Sequence, residues 1–197
     1  ECHFEQRSCN GGNATMVLNL LSRTGAALES CDPYQDADVA CDTTCPPAWS
    51  VRGWRWIHGT STPDVAALKQ ALLDHGPLST TVFAGDGSTP AWSDAFRHWD
   101  GGPGLHYTGS EPSNHAVVLV GWDDDQPHAG GGTGCWIVKN SWGTAWGSDC
   151  GSGGEAGYFH IAYGSASIGT WTSVITDVMS AYPELAVAGW DDGGYLP

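Results

Sequence analysis

The sequence contains few basic residues and no long apolar segment. Only 7 of its 197 residues are lysine or arginine, against 22 aspartates and glutamates, which gives a formal net charge of −15. A surface with this excess of negative charge repels phosphate backbones and anionic lipids, so no nucleic-acid or membrane partner is expected. The longest apolar run, residues 116–122, has seven residues even with Gly121 counted, far below the roughly 20 that span a bilayer.

The first residues also lack the features of a secretion signal. The stretch ECHFEQRSCNGG has neither a basic start nor an apolar run, so it predicts no signal peptide within this chain. Cysteine is abundant, however, and seven in 197 residues indicates an oxidising compartment. Because seven is odd, at least one sulfur is free or pairs outside this sequence. A zinc site at Cys41 and Cys45 is disfavoured, since no matching second pair follows.

The distribution of periodic segments predicts an α+β fold in two parts. Residues 1 to about 55 are loop-rich and contain one helical stretch, which Asn13 can cap. A second helix is predicted in STPDVAALKQALLDHGP, with Thr62 as the cap and Pro63 as its first residue. Strands are predicted at residues 78–84, 115–122, 135–140, 157–162 and near 171–178. Helices first and strands later place a boundary near residues 53–60.

Two motifs have the residue types that catalysis needs. In SNHAVVLVGWD, His115 stands at the start of an apolar strand, where its ring can face a cleft. In WIVKNSWGTAWG, Asn140 ends a strand, and its amide oxygen can bind the far ring nitrogen of a histidine and select its tautomer. Trp142 can cover such a pair and exclude water. Each residue alone has a commoner structural role, so the hypothesis rests on their combination.

Through these residues the chain resembles the papain family of cysteine peptidases. NHAVVLVGW resembles the family's histidine strand, and WIVKNSWGTAWG with GYFHI resembles its asparagine strand and the following hairpin. CNGG is similar to the glycine pair of the substrate cleft, and PDVAALKQALLDHGPLSTTV to the helix and strand that open the second domain. The resemblance implies a papain-like two-domain α+β fold. Residues 1–57 would be the remainder of a helical, disulfide-rich domain, and residues 58–197 an antiparallel, β-barrel-like domain that carries His115 and Asn140.

The resemblance also implies peptide-bond hydrolysis through a thioester, with no metal or other cofactor. His115 would exchange protons with a cysteine thiolate, Asn140 would orient His115, and Trp142 would shield both. The family's nucleophile opens a helix roughly 130–150 residues before the histidine and asparagine, so it is expected upstream of this chain together with the oxyanion glutamine. Cys135 lies after His115 in a strand, where no helix N-terminus lowers its thiol pKa. The chain alone is therefore expected to be an incomplete enzyme.

The substrate contacts implied by the resemblance come from two parts of the chain. Gly11 and Gly12 would pair with the backbone of an extended peptide. The pocket for the side chain two residues before the cleaved bond would be lined by small or polar residues: Asn13, Ala14, Thr81 and Ala116. Such a lining leaves room for a bulky apolar side chain.

By analogy with the family, Cys2 would pair with Cys41, and Cys9 with a cysteine near the absent nucleophile. Proximity in the sequence, rather than any family feature, suggests that the remaining four form Cys31–Cys45 and Cys135–Cys150 bridges. The acidic insertion at residues 123–134 could hold a cation, although a solvated loop is the simpler interpretation.

The expected partners are a peptide or protein substrate and, as a second chain, the N-terminal part of the same protein. The expected location is secreted or a lysosome- or vacuole-like compartment. Two alternatives stay open. One is a catalytically inactive papain-like domain with a binding or scaffold role, against which the presence of His115, Asn140 and Trp142 argues. The other is a carbohydrate-binding module built on the eleven tryptophans, most of which fall inside the peptidase-like motifs.

Overall fold

The computed structural model describes residues 11–35, 37, 39, 44–58, 61 and 64–180. These residues form three helices and six strands, which confirms the predicted α+β class. In chain order the elements are α1 (Ala14–Arg23), β1 (Trp49–His58), α2 (Val65–His75), β2 (Leu78–Val82), α3 (Pro90–Arg97), β3 (His115–Pro127), β4 (Thr133–Lys139), β5 (Tyr158–Ala162) and β6 (Thr170–Ser180). No helix in the described part of the chain is long and apolar enough to cross a membrane.

The six strands form one sheet in the order β1–β6–β2–β3–β4–β5. The pairs β6–β2, β2–β3, β3–β4 and β4–β5 are antiparallel. Leu78 lies opposite Leu119, Leu119 opposite Val138, and Val138 opposite Phe159. All four of these side chains are fully buried. A one-residue slip of any strand would turn its apolar side chains to the opposite face, so this buried row fixes the register of the sheet.

The chain divides into two compact units. One comprises the residues up to Trp54 together with those from Ile175, and the other comprises Arg55–Val174. The predicted division into residues 1–57 and 58–197 stays a prediction. The second unit has the larger apolar core, whose fully buried members include Leu68, Phe96, Leu119, Trp136 and Phe159.

The two predicted helices are present, with one change at a helix start. Asn13 caps α1 as expected, since its Oδ1 accepts a hydrogen bond from the N–H of Met16 at 3.1 Å. The helix α2 begins at Val65, and its cap is Asp64, whose carboxylate accepts from the N–H of Ala66 at 3.3 Å. The expected cap at Thr62 is therefore wrong by two residues, and residues 62 and 63 lie outside the described part of the chain.

Two elements and one extension were not predicted from the sequence. The strand β1 lies mostly in the part predicted to be loop-rich, and α3 lies in a segment for which no helix was predicted. The strand β3 continues to Pro127, since Asp123 pairs with Cys135 and Pro127 with Thr133. Residues 123–127, which include three aspartates and were expected to begin a loop, instead extend the β3–β4 hairpin.

Candidate active site

Antiparallel pairing of β3 with β4 brings the start of one strand beside the end of the other. His115 is the first residue of β3. Asn140 follows Lys139, the last residue of β4, which lies opposite Val118. The backbone N–H of Asn140 donates to the carbonyl of Gly157 at 2.9 Å and fixes this end of β4 against the chain before β5. Two side chains 25 residues apart in the sequence therefore meet at one end of the sheet.

The imidazole of His115 and the amide of Asn140 form a hydrogen bond of 2.8 Å between Nε2 and Oδ1. An amide oxygen only accepts, so Nε2 carries the proton and, in the neutral ring, Nδ1 is left as an acceptor. The Asn140 oxygen also accepts from the N–H of Ser141 at 2.8 Å, and the residue is only 8% exposed. A buried, uncharged partner thereby sets the tautomer and the ring direction of His115.

Aromatic side chains surround the His115–Asn140 pair. The ring centroid of Trp142 lies 5.2 Å from that of His115, and Phe96 of α3 lies edge-on to both rings at 5.4 and 6.4 Å respectively. Trp146 packs against Phe96, and its Nε1–H donates to the carbonyl of Arg97 at 2.7 Å. Trp142 is 40% exposed, so it covers the pair on the solvent side. Excluding water there strengthens the hydrogen bond by lowering the local dielectric constant.

One nitrogen of His115 remains available for chemistry. Among the residues that the structure describes, none forms a hydrogen bond with Nδ1, and the residue is partly exposed. An imidazole held at Nε2 and open at Nδ1 can take a proton from an acidic group and return it, which is the requirement for general acid–base catalysis. The Nδ2 of Asn140 is buried and also has no partner within the described residues.

One of the two disulfides predicted among the described cysteines is formed, and the other is not. Cys31 and Cys45 are joined as predicted, whereas Cys135 and Cys150 are free thiols, so the expected bridge between them is absent. The Cys135 thiol is directed at the carbonyl of Gln126, at 3.7 Å, and not at Cys150. Burial raises the pKa of both the Cys135 and the Cys150 thiol to about 11. Residues 2, 9 and 41, which carry the other predicted pairings, lie outside the described residues.

We expect Cys135 and Cys150 to react slowly with iodoacetamide in the folded protein. A thiol pKa of about 11 leaves roughly 300-fold less thiolate at pH 7 than the ordinary cysteine pKa of about 8.5. Because the folded-state pKa is raised, the two protonated thiols stabilise the fold below about pH 8.5, and this stability is lost as the pH rises towards 11. Peptide mass spectrometry at pH 7 should therefore show alkylation at least about 100-fold slower than in urea. Equal rates in both states would contradict the prediction.

A family comparison decides which class of protein carries this site. The sequence profile described as papain family cysteine protease matches residues 1–178, which is most of the chain. The chain belongs to the papain family. The resemblance inferred from its histidine and asparagine motifs is thereby confirmed.

This papain-family chain spans about half the length of the curated relatives it matches. It is 32% identical to cathepsin O of Homo sapiens over 178 residues, which cover 88% of this chain and 48% of cathepsin O. It is 30% identical to cathepsin B-like CP2 of Giardia intestinalis, with coverage of 83% and 50% respectively. A solved structure from work on antibody cross-reactivity between the mite allergens Blo t 1 and Der p 1 matches with a TM-score of 0.64 and 27% identity, and covers 86% of this chain and 49% of that chain.

Four of the predicted substrate-binding residues lie next to each other before and at the start of α1. Gly11 and Gly12 are exposed, and a Cβ atom built at either would meet no atom of the described residues within 4 Å. The φ angle of +130° at Gly11 is one that L residues rarely adopt. Asn13 caps α1, so its side chain is engaged, and Ala14 is the first helical residue. Their role in substrate binding stays a prediction.

The other two predicted substrate-binding residues lie beside His115. Thr81 of β2 is directly opposite Ala116 of β3, the residue after His115. Ala116 is exposed. The Thr81 hydroxyl, in contrast, donates to the carbonyl of Thr170 at 2.8 Å, and its oxygen lies 2.7 Å from the hydroxyl oxygen of Ser113. Thr81 therefore offers a ligand its methyl group more readily than its hydroxyl group.

Two residues near the pair were missed from the sequence. Phe96 lies on α3, which has recognisable helix signals: Pro90 as its first residue, and Trp92 and Phe96 four positions apart. Asn114 bonds to the chain that follows β2, a contact that no local pattern reveals. Within the described ranges, no group of three or more histidine, cysteine, aspartate or glutamate residues could hold a metal ion.

Proposed function

We propose that this papain-family chain provides the histidine and asparagine of a cysteine peptidase that hydrolyses peptide bonds through a thioester. The observation that carries the proposal is the 2.8 Å bond from Nε2 of His115 to Asn140 beneath Trp142, with Nδ1 left open. A fixed imidazole with one open nitrogen matches what a thiol nucleophile needs as its base. Family membership supports the same chemistry.

Each proton transfer in the proposed reaction passes through Nδ1 of His115. The nucleophilic thiol gives its proton to Nδ1, and the resulting thiolate attacks the carbonyl carbon of the scissile peptide bond. The imidazolium then protonates the leaving amine as the C–N bond breaks and the thioester forms. In the second half, His115 deprotonates a water molecule that attacks the thioester, and the cysteine leaves as a thiol. Asn140 holds the Nε2 proton throughout.

We propose that the nucleophile and the oxyanion glutamine are supplied by residues outside this chain. Cys135 is fully buried, and Cys135 and Cys150 both have thiols of raised pKa. Cys31 and Cys45 are joined to each other. The remaining three cysteines, at positions 2, 9 and 41, lack the helix-opening Cys-Trp context that the family places at its nucleophile.

The proposed substrate is a peptide or protein bound in extended form. Gly11 and Gly12 would pair with its backbone, and the absence of described atoms within 4 Å of a Cβ at either glycine supports this role. Thr81 and Ala116, which face each other across β2 and β3, would line the pocket for an apolar side chain together with Asn13 and Ala14. The second chain, if the protein is cleaved, is its own N-terminal part.

We infer a secreted or lysosome- or vacuole-like location from the chemistry of the cysteines. The Cys31–Cys45 disulfide supports an oxidising compartment, since such bonds are rare in a reducing cytosol. A net charge of −15 does not favour binding to nucleic acid or to anionic membranes.

Labelling the full protein with a peptidyl epoxide tests the proposal. We expect one equivalent of inhibitor per molecule, attached to a cysteine outside residues 1–197, as mapped by peptide mass spectrometry. Modification of Cys135 or Cys150 would contradict the proposed source of the nucleophile. Failure to label any cysteine would contradict the peptidase and favour the inactive papain-like binding or scaffold domain.

Replacing Asn140 with alanine is expected to lower kcat about 10- to 100-fold with a smaller change in KM. The variant removes the acceptor for Nε2–H, so His115 samples the other tautomer and other ring directions, and misplaced catalytic groups lose rate on this order. The measurement is the steady-state hydrolysis of a fluorogenic peptide by the full protein. The matched variant Asn140→Asp keeps an acceptor at the same position and should retain more activity. An alanine variant with unchanged kcat would show that the hydrogen bond has no role in turnover.

A further inference from the structure

The β3–β4 hairpin ends in a short turn, residues 128–132, which lies against a separate segment of the chain. The N–H of Gly104 donates to the carbonyl of Pro127 at 2.8 Å, and the carbonyl of Gly104 accepts from the N–H of Ala129 at 2.9 Å. The turn follows the last residue of β3, whereas His115 is the first residue of that strand. The turn is therefore a feature of the hairpin and not of the candidate active site.

Two imidazole rings connect the turn to the segment beside it. The rings of His106 and His128 are stacked, with centroids 5.0 Å apart and an angle of 13° between their planes. Both rings contact glycine backbone. A Cβ atom at Gly130 would lie 2.8 Å from ring atoms of His106, and a Cβ atom at Gly132 would lie 2.9 Å from Nε2 of His128. Glycine at both positions therefore leaves the space that the stacked rings occupy.

One of the two rings accepts a hydrogen bond from the turn. The N–H of Gly130 lies 3.1 Å from Nδ1 of His128, so this nitrogen is unprotonated, and in the neutral ring the proton is on Nε2. Protonation of Nδ1 converts the acceptor into a donor that faces another donor, and the bond is lost. If His106 is also protonated, two positive rings repel each other across 5.0 Å. The hydrogen bond thus requires a neutral His128, and the stack disfavours a pair of charged rings.

The titratable groups on the surrounding elements do not pair with the stacked rings. These groups lie on β3, on β4, on β5 and on the segment around His106: Asp123, Asp124, Asp125, Cys135, His160, Asp100 and Tyr107. The carboxylate of Asp123 accepts from backbone N–H groups, and that of Asp124 binds Lys69. Burial lowers the pKa of His160, which favours its neutral form. Within the described part of the chain, no carboxylate forms an ion pair with either stacked ring.

We propose that the stack of His106 on His128 is a pH-sensitive contact that holds the hairpin turn closed near neutral pH and releases it in acid. Histidine side chains change charge between about pH 5 and 8. The bond from Gly130 is present while Nδ1 is unprotonated and is lost as the pH falls. The backbone bonds of Gly104 do not titrate, so the release is confined to residues 130–132. The inference goes beyond the proposed peptidase function and does not depend on it.

Backbone ¹⁵N relaxation of the full protein at about pH 7.5 and about pH 5.0 tests the proposal. We expect the order parameters of residues 130–132 to fall from about 0.85, a value typical of rigid backbone, to below about 0.6. The paired residues of β3 and β4 should keep their order parameters at both pH values. Unchanged order in the turn at the lower pH overturns the proposal. An equal loss of order throughout the hairpin also overturns it, because the acid effect is then not specific to the turn.

Three variants assign the effect to the stacked rings. In His128→Asn the side-chain oxygen can accept from the backbone two residues further on and does not titrate, so the turn should stay ordered in acid. His106→Phe keeps a flat ring but removes one of the two charges, and its loss of order should be smaller than in the unsubstituted protein. The matched control His98→Asn removes an exposed histidine beside Asp94 and should keep the full response.

A loss of order in acid that persists in His128→Asn overturns the proposal, because the response then arises from another group. If that variant does not fold, a loss of order in His106→Phe equal to that of the unsubstituted protein overturns it. None of these measurements uses peptidase activity, so their outcome is independent of the epoxide labelling that tests the proposed function.

Discussion

Replacing His115 with alanine is expected to lower the kcat/KM of the full protein about 10³- to 10⁴-fold. General acid–base catalysis by one side chain contributes about 10²- to 10⁴-fold. The upper end applies because the same imidazole would activate the thiol, protonate the leaving amine and activate water. The alanine variant also removes one of the two hydrogen-bond donors to the side-chain oxygen of Asn140, which keeps only the N–H of Ser141. Hydrolysis of a fluorogenic peptide, normalised to the folded fraction by circular dichroism, gives the ratio.

The control for this variant is His98→Ala in the same unit. His98 is exposed, and its Nδ1 lies 3.0 Å from a carboxylate oxygen of Asp94 at the surface. An exposed pair of this kind contributes little to stability, so the control should keep kcat/KM within about twofold. A His115→Ala variant with a tenth or more of the normal activity would contradict the assigned role. Loss of epoxide labelling together with loss of turnover would locate the defect at thiol activation.

The strands that the sequence predicted have a regular apolar pattern, and β1 does not. Its apolar residues alternate from Trp49 to Val51, and then again from Trp54 to Trp56, with the phase shifted by one residue at Gly53. A Cβ atom at Gly53 would lie 2.7 Å from the hydroxyl oxygen of Thr176 in strand β6. Glycine is therefore favoured at this position, where the two strands approach closely. Alternation of apolar residues does not predict the strand here, because the pairing with the adjacent strand β6 sets the register of β1 and the apolar pattern changes phase at Gly53.

The end of strand β3 was predicted as a loop, but it is a strand because its pairing with β4 outweighs its unfavourable amino-acid composition. Aspartate is depleted in strands, and the sequence therefore predicted a loop from residue 123. In the structure Asp123 pairs with Cys135, and its carboxylate accepts from the N–H of Asp125 at 2.9 Å. The long partner strand supplies the hydrogen bonds that the acidic residues would not favour alone.

The two disulfides predicted from sequence spacing show that spacing alone does not determine which cysteines pair. Cys31 and Cys45 are 14 residues apart, and their Cα atoms lie 5.8 Å from each other, within the usual range for a disulfide. Cys135 and Cys150 are about as far apart in the sequence, yet both are free. Cys135 sits inside a paired strand and is fully buried. Nearly equal spacing therefore gave one right and one wrong pairing.

The candidate site was predictable where it depends on strand ends. His115 and Asn140 each stand at the end of an apolar strand, and antiparallel pairing alone brings such ends together. The contact of Phe96 with His115 was not predictable, because Phe96 lies on α3, and no local sequence pattern predicts which side chain packs behind an imidazole. The aromatic residues around His115 and the amide of Asn114 are thus tertiary features of the site.

Phe96 is the central member of this aromatic cluster. Its ring lies between 5.2 and 6.4 Å from those of five neighbours: Trp92, His115, Trp142, Trp146 and Phe159. The side chain is fully buried, whereas Trp142 at the edge of the cluster is 40% exposed. Phe96 therefore supports both the wall behind His115 and the indole that covers it.

Replacing Phe96 with alanine is expected to lower the free energy of unfolding by about 3–5 kcal/mol, because the change removes a buried ring and leaves a cavity among rings that cannot all move inward. Urea unfolding followed by tryptophan fluorescence measures the loss. Phe96→Leu refills much of the space and should cost less than about 2 kcal/mol. At urea concentrations where Phe96→Ala remains folded, its kcat should also fall, since Trp142 and His115 lose a common support. A loss below about 1 kcal/mol would mean that the cluster closes around the gap, and that the wall behind His115 does not depend on α3.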